Sequence, residues 1–166
     1  MEALTTGLID WAVAESTMSG QVVSGDHHLV KTSPDGALVA VVDGLGHGPE
    51  AAGAARAAVR LLEQHAKEPL ISLVKSCHRG MLGTRGVVMS VASFSADDET
   101  LTWVGVGNVE GVLLRAQAAV TPRRELLLLR GGVVGVRLPG LSAGIVTHSS
   151  TRSRTASSRS STSCGR

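Results

Sequence analysis

One stretch in the first third of the chain constrains the fold more than any other. Residues 37–42 form a continuous apolar and β-branched run, which is typical of a buried strand, and the run ends at Asp43. The glycine-rich segment 44–48 then provides a flexible turn. Pro49 and Glu50 suit the first turn of a helix, because proline fixes φ and glutamate complements the helix dipole. The sequence therefore predicts a strand, a tight turn and a helix in direct succession.

The elements around this unit indicate an α+β protein rather than a repeating βαβ sheet. Two helices are predicted in succession, from about Pro49 to Lys67 and from about Pro69 to Met81. Strand regions are expected before them at 8–16, 21–32 and 37–42, and after them at 87–95, 101–107, 110–116, 125–129, 133–137 and 143–147. Consecutive helices that are followed only by strands favour helices packed on antiparallel sheets.

The length and composition fit one folded domain with a tail. The chain has 166 residues, of which 43% are apolar and 18% are charged, and this suits a single core of small aliphatic side chains. Residues 149–166 are almost wholly Ser, Thr and Arg and contain no Ile, Leu, Val, Met or aromatic residue, so they cannot add a face to that core. We therefore expect a domain at 1–148 and a disordered Ser/Arg-rich tail at 149–166. A regulatory serine-rich segment and the translation of a shifted reading frame are the alternatives for the tail.

The net charge of +2 arises in the tail, which argues against a nucleic-acid partner. Residues 147–166 hold four arginines and no acid, so the rest of the chain has 12 basic and 14 acidic residues, and only three aromatic side chains are available for base stacking. No apolar run is long enough to span a membrane, and the N-terminus lacks the layout of a signal peptide. We expect a cytoplasmic protein with no membrane partner.

Cys77 and Cys164 lie far apart, which predicts neither a disulfide nor a zinc site.

Two carboxylates at neighbouring strand ends mark the candidate site. If regions 21–32 and 37–43 pair through a turn at 33–36, residue 43 comes to lie opposite about residue 26. Asp26 and Asp43, with a glycine carbonyl beside them, then make an oxygen-rich site that suits Mg²⁺ or Mn²⁺. In the competing interpretation, Asp43 only caps the helix and Asp26 is an exposed loop acid.

The same turn also fits a dinucleotide-binding fingerprint. Residues 46–51 match the pattern G-x-G-x-x-A between a strand and a helix. That fold requires a parallel strand directly after the helix, whereas a second helix is predicted here. Asp43 would also repel a pyrophosphate unless a metal ion lay between them. A dinucleotide-binding protein therefore stays as a weaker alternative.

At these residues the sequence resembles the PPM-type (protein phosphatase 2C-like) metal-dependent serine/threonine phosphatases, in the small bacterial branch that includes the sporulation and stressosome phosphatases. The motifs are SGD at 24–26, VDGLGHG at 42–48, GTRGVVMS at 83–90 and WVGVGNVEG at 103–111. The resemblance implies a β-sandwich of antiparallel sheets flanked by helices. It also implies hydrolysis of phosphoserine or phosphothreonine by a metal-activated water, two Mn²⁺ or Mg²⁺ ions as cofactors, and phosphorylated STAS-domain proteins of the stressosome as partners.

The resemblance also assigns roles to single residues. Asp43 would bridge the two metal ions, Gly44 would offer its carbonyl to one of them, and Asp26 would complete the ligand shell of the other. His47 is a candidate for protonating the leaving oxygen, with a histidine that only orders the turn as the alternative. Apart from the resemblance, the charge of Arg85 makes it a candidate for attracting the substrate phosphate, with a solvated loop arginine as the alternative.

The chain departs from this family at the later metal ligands. Family members carry a further aspartate in an Asp-Gly segment on a late strand, and usually another near the C-terminus, whereas the last acidic residue here is Glu125. We therefore expect a PPM-type fold that lacks terminal strands and has a depleted metal site. The alternative function is a catalytically weak or inactive phosphatase-like module that binds its partner without hydrolysis.

Overall fold

A computed structural model describes residues 8–15, 23–116, 121–147 and 154–156. Two helices and nine strands lie within these ranges. The helices are α1 (Gly48–Gln64) and α2 (Leu70–Gly80). The strands are β1 (Asp26–Ser33), β2 (Gly36–Gly44), β3 (Val87–Ser95), β4 (Thr100–Val106), β5 (Val112–Leu114), β6 (Arg124–Leu126), β7 (Leu129–Arg130), β8 (Gly144–Thr147) and β9 (Arg154–Ala156). None of the helices in these ranges is both long and apolar enough to cross a membrane.

The strands form two sheets. The larger sheet has the order β1-β2-β3-β4-β7, with β8 also paired to β4, and the smaller sheet has the order β6-β5-β9. Every strand pair is antiparallel except β4 with β7. Because β3 is the first strand after the helices and runs antiparallel to β2, the fold lacks the parallel strand that the dinucleotide-binding fold requires. The dinucleotide-binding alternative is therefore wrong.

The larger sheet separates two hydrophobic cores. One face packs against α1 and α2 and contributes Val42 and Met89 to the larger core. The other face contributes Trp103 to a smaller core, where it packs with Leu113 and Leu127. Because β3 is covered on both faces, its first six residues are all buried. This double burial explains why β3 appears in the sequence as a mostly apolar run without strict alternation.

Helix α1 lies close to the sheet because small side chains line its inner face. The buried side chains of this helix are mostly alanine, namely Ala51, Ala52, Ala54, Ala55 and Ala58, with Leu62 near its end. The approach is closest at Gly44, where an added Cβ would collide with the carbonyl group of Ala51. Glycine and alanine therefore set the distance between the first turn of α1 and the end of β2.

Most predicted elements are present, with shifts of a few residues at their ends. The predicted strand at 8–16 is wrong over its described part, because residues 8–15 form no strand and expose their apolar side chains instead of pairing. The predicted strand at 133–137 is reduced to isolated bridges. Both segments have suitable residues, but neither has a neighbouring strand that continues the pairing.

The tail lies mostly outside the described residues. Residues 154–156 are described, and they form β9, which pairs with β5. At these three residues the structure differs from the expected disordered tail, because main-chain hydrogen bonding in a sheet needs no apolar side chains. Cys77 is buried and free, as predicted, and Cys164 lies outside the described residues.

The packing of α1 on the sheet can be tested at Leu62, which is fully buried. We expect Leu62→Ala to lower the free energy of unfolding by about 2–5 kcal/mol, because the lost side chain leaves a cavity between α1 and the sheet. Denaturant unfolding followed by circular dichroism measures this change. The matched control is Arg60→Ala, which removes an exposed side chain of the same helix and should change stability by less than about 0.5 kcal/mol. Equal losses in the two variants would contradict this packing.

Candidate metal centre

Asp26 and Asp43 lie directly opposite each other in the β1–β2 pair. The turn at 33–36 predicts this register, so the predicted juxtaposition is confirmed. Beyond the last pair, the Gly44 backbone N–H donates a hydrogen bond to the Gly25 carbonyl at 3.1 Å. The Asp26 N–H donates to the Ser24 hydroxyl oxygen, also at 3.1 Å. These two bonds hold the strand ends together at the point where the carboxylates lie.

The two carboxylates form an electrostatically unfavourable pair. The pKa of Asp43 is raised from 3.8 to about 6, first by burial and then by the charge of Asp26 and a hydrogen bond with it. None of the ion pairs in the described part of the chain involves either carboxylate. Like charges that share a partly buried site without a cation favour the protonated form of one group. A bound divalent cation would remove this penalty.

The oxygen atoms at this site fit a hard divalent cation. Gly25 leaves its Cβ position open, and a Cβ placed there would lie 3.5 Å from the Gly44 carbonyl oxygen and 3.9 Å from Asp43 Oδ1. Carboxylates and carbonyls are the donors that Mg²⁺ and Mn²⁺ prefer, and Mg²⁺ is often held by only one or two carboxylates together with waters and substrate phosphate. The donor atoms of Asp26, Asp43 and Gly44 are therefore of the type that such a cation binds.

The set of candidate ligands among the described residues is small. Within residues 8–15, 23–116, 121–147 and 154–156, no group of three or more His, Cys, Asp or Glu side chains is arranged to hold a metal ion. The depleted site expected from the sequence remains a prediction, because metal affinity is the property that decides it.

His47 lies on the same turn as the carboxylates. It is exposed and occupies the N-cap position of α1, where its side chain makes no capping hydrogen bond. The described contacts include no hydrogen bond or ion pair between His47 and either Asp26 or Asp43. The imidazole is therefore open to solvent beside the candidate site, and its catalytic role stays a prediction.

An ion pair beside this turn was not predicted. Arg85 Nη2 lies 2.5 Å from Glu50 Oε2, and Arg85 Nη1 lies over Gly46, where an added Cβ would be 2.7 Å from it. The sequence indicates Glu50 only as a helix-dipole partner. The segments that contain Arg85 and Glu50 are far apart in sequence, and no local pattern joins them. Their contact arises only when β3 pairs with β2.

The two adjacent histidines lie away from the carboxylate pair. His28 Nδ1 lies within hydrogen-bond distance of Glu15 Oε1, at 2.9 Å, and the His27 Nε2 atom is buried without a hydrogen-bond partner in the described structure. Both side chains line a surface cleft between β1 and α1, which we term the edge cleft, with Glu15, Arg56, Val59 and Arg60. Neither histidine joins Asp26 and Asp43 in a described group of three or more potential metal-ligand side chains.

Comparison with known proteins gives the same fold. No protein-family model matches the chain. The chain is 30% identical over 105 residues to phosphoserine phosphatase RsbX of Bacillus subtilis (strain 168). The matched region covers 63% of this chain and 53% of that protein. The chain therefore spans about half the length of this curated relative.

Solved structures extend the similarity to most of the described fold. A protein from work on the bacterial stressosome as a modular system for secondary messenger signalling is 30% identical, with a TM-score of 0.72 over 78% of this chain and 66% of that one. RsbX in complex with magnesium is 25% identical, with a TM-score of 0.70 over 78% of this chain and 63% of that one. The PP2C phosphatase domain of SpoIIE from Bacillus subtilis shares the fold at 15% identity, with a TM-score of 0.69 over 81% of this chain and 41% of that one. The predicted α+β fold class is confirmed.

The raised pKa of Asp43 predicts how the stability of the metal-free protein depends on pH. Below about pH 3.8 the group is protonated in both the folded and unfolded states. As the pH rises from 3.8 through 6, the unfolded chain loses its proton first, so the folded state loses stability. We expect Asp43→Asn, which cannot ionise, to raise the free energy of unfolding by about 1–2 kcal/mol at pH 7.5 and to have little effect at pH 4. Denaturant unfolding in EDTA measures both values, and an equal effect at the two pH values would contradict the charge argument.

Proposed function

We propose that the chain, as an RsbX-like relative of the PPM-type phosphatases, is a metal-dependent protein serine/threonine phosphatase. The curated relative is named a phosphoserine phosphatase, and one similar structure is a complex with magnesium. The observation that carries the proposal is the opposed pair of Asp26 and Asp43, a partly buried carboxylate pair whose repulsion a bound cation would remove. Because the chain covers about half of that relative, its activity, substrate and partners are all parts of the proposal.

The residues of this chain divide the proposed reaction between them. Asp26, Asp43 and the Gly44 carbonyl would hold Mn²⁺ or Mg²⁺. A divalent cation supplies charge neutralisation at the phosphoryl oxygens and lowers the pKa of a bound water. His47, which is exposed at the N-cap of α1, would give a proton to the leaving serine or threonine oxygen.

A covalent thiol mechanism is unsuited to the described cysteine. Cys77 lies on α2 within the larger core, and burial raises its pKa to about 12. At neutral pH the thiol therefore stays protonated, and the thiolate is the form that acts as a nucleophile. This favours direct attack by water over a cysteinyl-phosphate route.

The proposed substrates are stressosome-related phosphoproteins. RsbX is similar to this chain over 105 residues, and another similar structure comes from work on the bacterial stressosome. Within this class we propose STAS-domain proteins that carry phosphoserine or phosphothreonine. The proposal also includes a cytoplasmic location.

A second candidate function is a phosphatase-like binding module with weak or no activity. The small ligand set favours it, because the described residues offer only two opposed carboxylates and no larger acidic or histidine cluster. Such a module would keep the surface around Asp43 and bind the phosphorylated partner without hydrolysis.

The test is phosphate release from a phosphoserine STAS-domain protein in the presence of Mn²⁺ or Mg²⁺. We expect release by the full chain, no release in EDTA, and a loss of at least about 100-fold in Asp43→Asn, because half of the carboxylate pair is gone. Asp97→Asn is the matched control, since Asp97 is an exposed acid in the β3–β4 turn and should leave the rate unchanged. Release that survives EDTA and Asp43→Asn would contradict the metal proposal. Stable binding without release by the folded protein would favour the binding module.

The role of His47 can be tested separately. If it protonates the leaving oxygen, His47→Gln should lower kcat for a phosphoserine substrate by about 100-fold, with little change in KM. The loss should be much smaller for an aryl phosphate, whose leaving oxygen needs no proton. Equal losses on the two substrates would show that His47 only orders the turn.

A further inference from the structure

We propose that Arg85 binds the phosphoryl group of the substrate and that Glu50 holds the guanidinium in position beside the candidate metal centre. This inference rests on the proposed function, because it names the residue that recognises phosphate at the same site. Neither residue belongs to the candidate metal ligands.

Strand pairing brings Arg85 to the turn that follows Asp43. Gly44 and Val87 form the last pair between β2 and β3, and the Leu45 N–H donates to the Gly86 carbonyl at 3.1 Å. Asp26 at the start of β1 thus flanks the end of β2 on one side, and Arg85 flanks it on the other. Neighbouring strands lie about 4.8 Å apart, so the two flanking backbones are about 10 Å apart. A phosphoryl group and one extended arginine side chain fit across that distance.

The backbone that carries Arg85 is held on both sides. The Thr84 hydroxyl donates to the Met81 carbonyl at 2.8 Å and accepts from the Gly86 N–H at 3.1 Å. Gly86 has a φ of +81°, and a Cβ there would meet the side chain of Val133 at 2.6 Å. Only glycine fits this conformation and this space, so the loop presents Arg85 from a fixed position.

The guanidinium has donors left for an anion. The ion pair with Glu50 is made through Nη2, and the Arg85 side chain is 52% exposed. An ion pair exposed to this degree contributes little to stability, and in this structure it places the guanidinium beside the turn. The remaining N–H groups form a fixed planar fork that matches phosphoryl oxygens.

A guanidinium at this turn complements the charge of a phosphate. Asp26 and Asp43 attract a cation but repel the dianionic phosphate that must approach the same place. Among the described ion pairs, the one between Arg85 and Glu50 lies at this turn, because Glu50 is in the first turn of α1 and the Leu45 N–H bonds to the Gly86 carbonyl. A guanidinium there offsets the repulsion on the side of β2 that the carboxylates leave open.

The first test is binding to a peptide that carries the non-hydrolysable phosphonate analogue of phosphoserine, measured by calorimetry with Mn²⁺ present. We expect Arg85→Ala to weaken this binding by about tenfold or more, and Arg85→Lys to weaken it by less, because lysine keeps the charge and loses the fork. Binding of the same peptide with unmodified serine should not change. Arg60→Ala removes an exposed arginine of the edge cleft and should leave phosphonate binding unchanged.

The second test separates positioning from structure. Glu50→Gln should raise KM for the phosphoserine substrate by about threefold while kcat and the melting temperature stay close to wild type, because the guanidinium is present but less restricted. A drop in melting temperature with unchanged KM would show that the pair is only structural and would overturn the role of Glu50.

The outcomes distinguish this inference from the proposed function. Phosphonate binding that depends on Arg85, in a chain that releases no phosphate, would refute the phosphatase and leave this inference standing. Phosphate release with unchanged KM in Arg85→Ala would refute this inference and leave the phosphatase standing. A loss confined to Arg60→Ala would place the phosphate in the edge cleft and overturn the assignment, as would a folded wild-type chain that does not bind the phosphonate peptide.

Discussion

The antiparallel pairing of β1 with β2 is the constraint on which the candidate site depends. It sets Asp26 opposite Asp43, and a slip of one residue would turn one carboxylate to the other face of the sheet. The turn at 33–36 fixes the register at one end. On its other side, β2 packs tightly against β3 at Gly36, where a Cβ would collide with the carbonyl group of Phe94. The site is thus determined by backbone geometry at some distance from the carboxylates.

Repulsion between Asp26 and Asp43 lowers the stability of the metal-free protein. Partly burying Asp43 beside Asp26 raises the pKa of Asp43 and weakens the metal-free protein near neutral pH. The closeness of α1 contributes to that burial, since glycine at 44 and alanine at 51 let the helix approach the end of β2. A bound cation would offset this loss of stability. Functional sites commonly lower the stability of the protein that carries them.

Opposite charges surround the turn in a definite order across the sheet. The carboxylates lie at the start of β1 and the end of β2, and Arg85 lies just before β3, where it is ion-paired with Glu50 on α1. A metal ion and a phosphate carry opposite charges, so a site that takes both needs both kinds of side chain within reach. Three neighbouring elements of the larger sheet and the start of α1 supply them.

The sequence by itself determined the local features of this protein. The hairpin of β1 and β2, both helices, the strand-to-helix turn and the opposed aspartates follow from residue patterns within short segments, since turn residues and periodicity act between near neighbours. Tertiary structure alone decided that residues 8–15 and 133–137 do not form strands, that β7 lies parallel to β4, and that Arg154–Ala156 joins a sheet. It also brought Arg85 to Glu50. These features depend on contacts between distant segments, and the pattern within a segment carries no record of which distant partner will meet it.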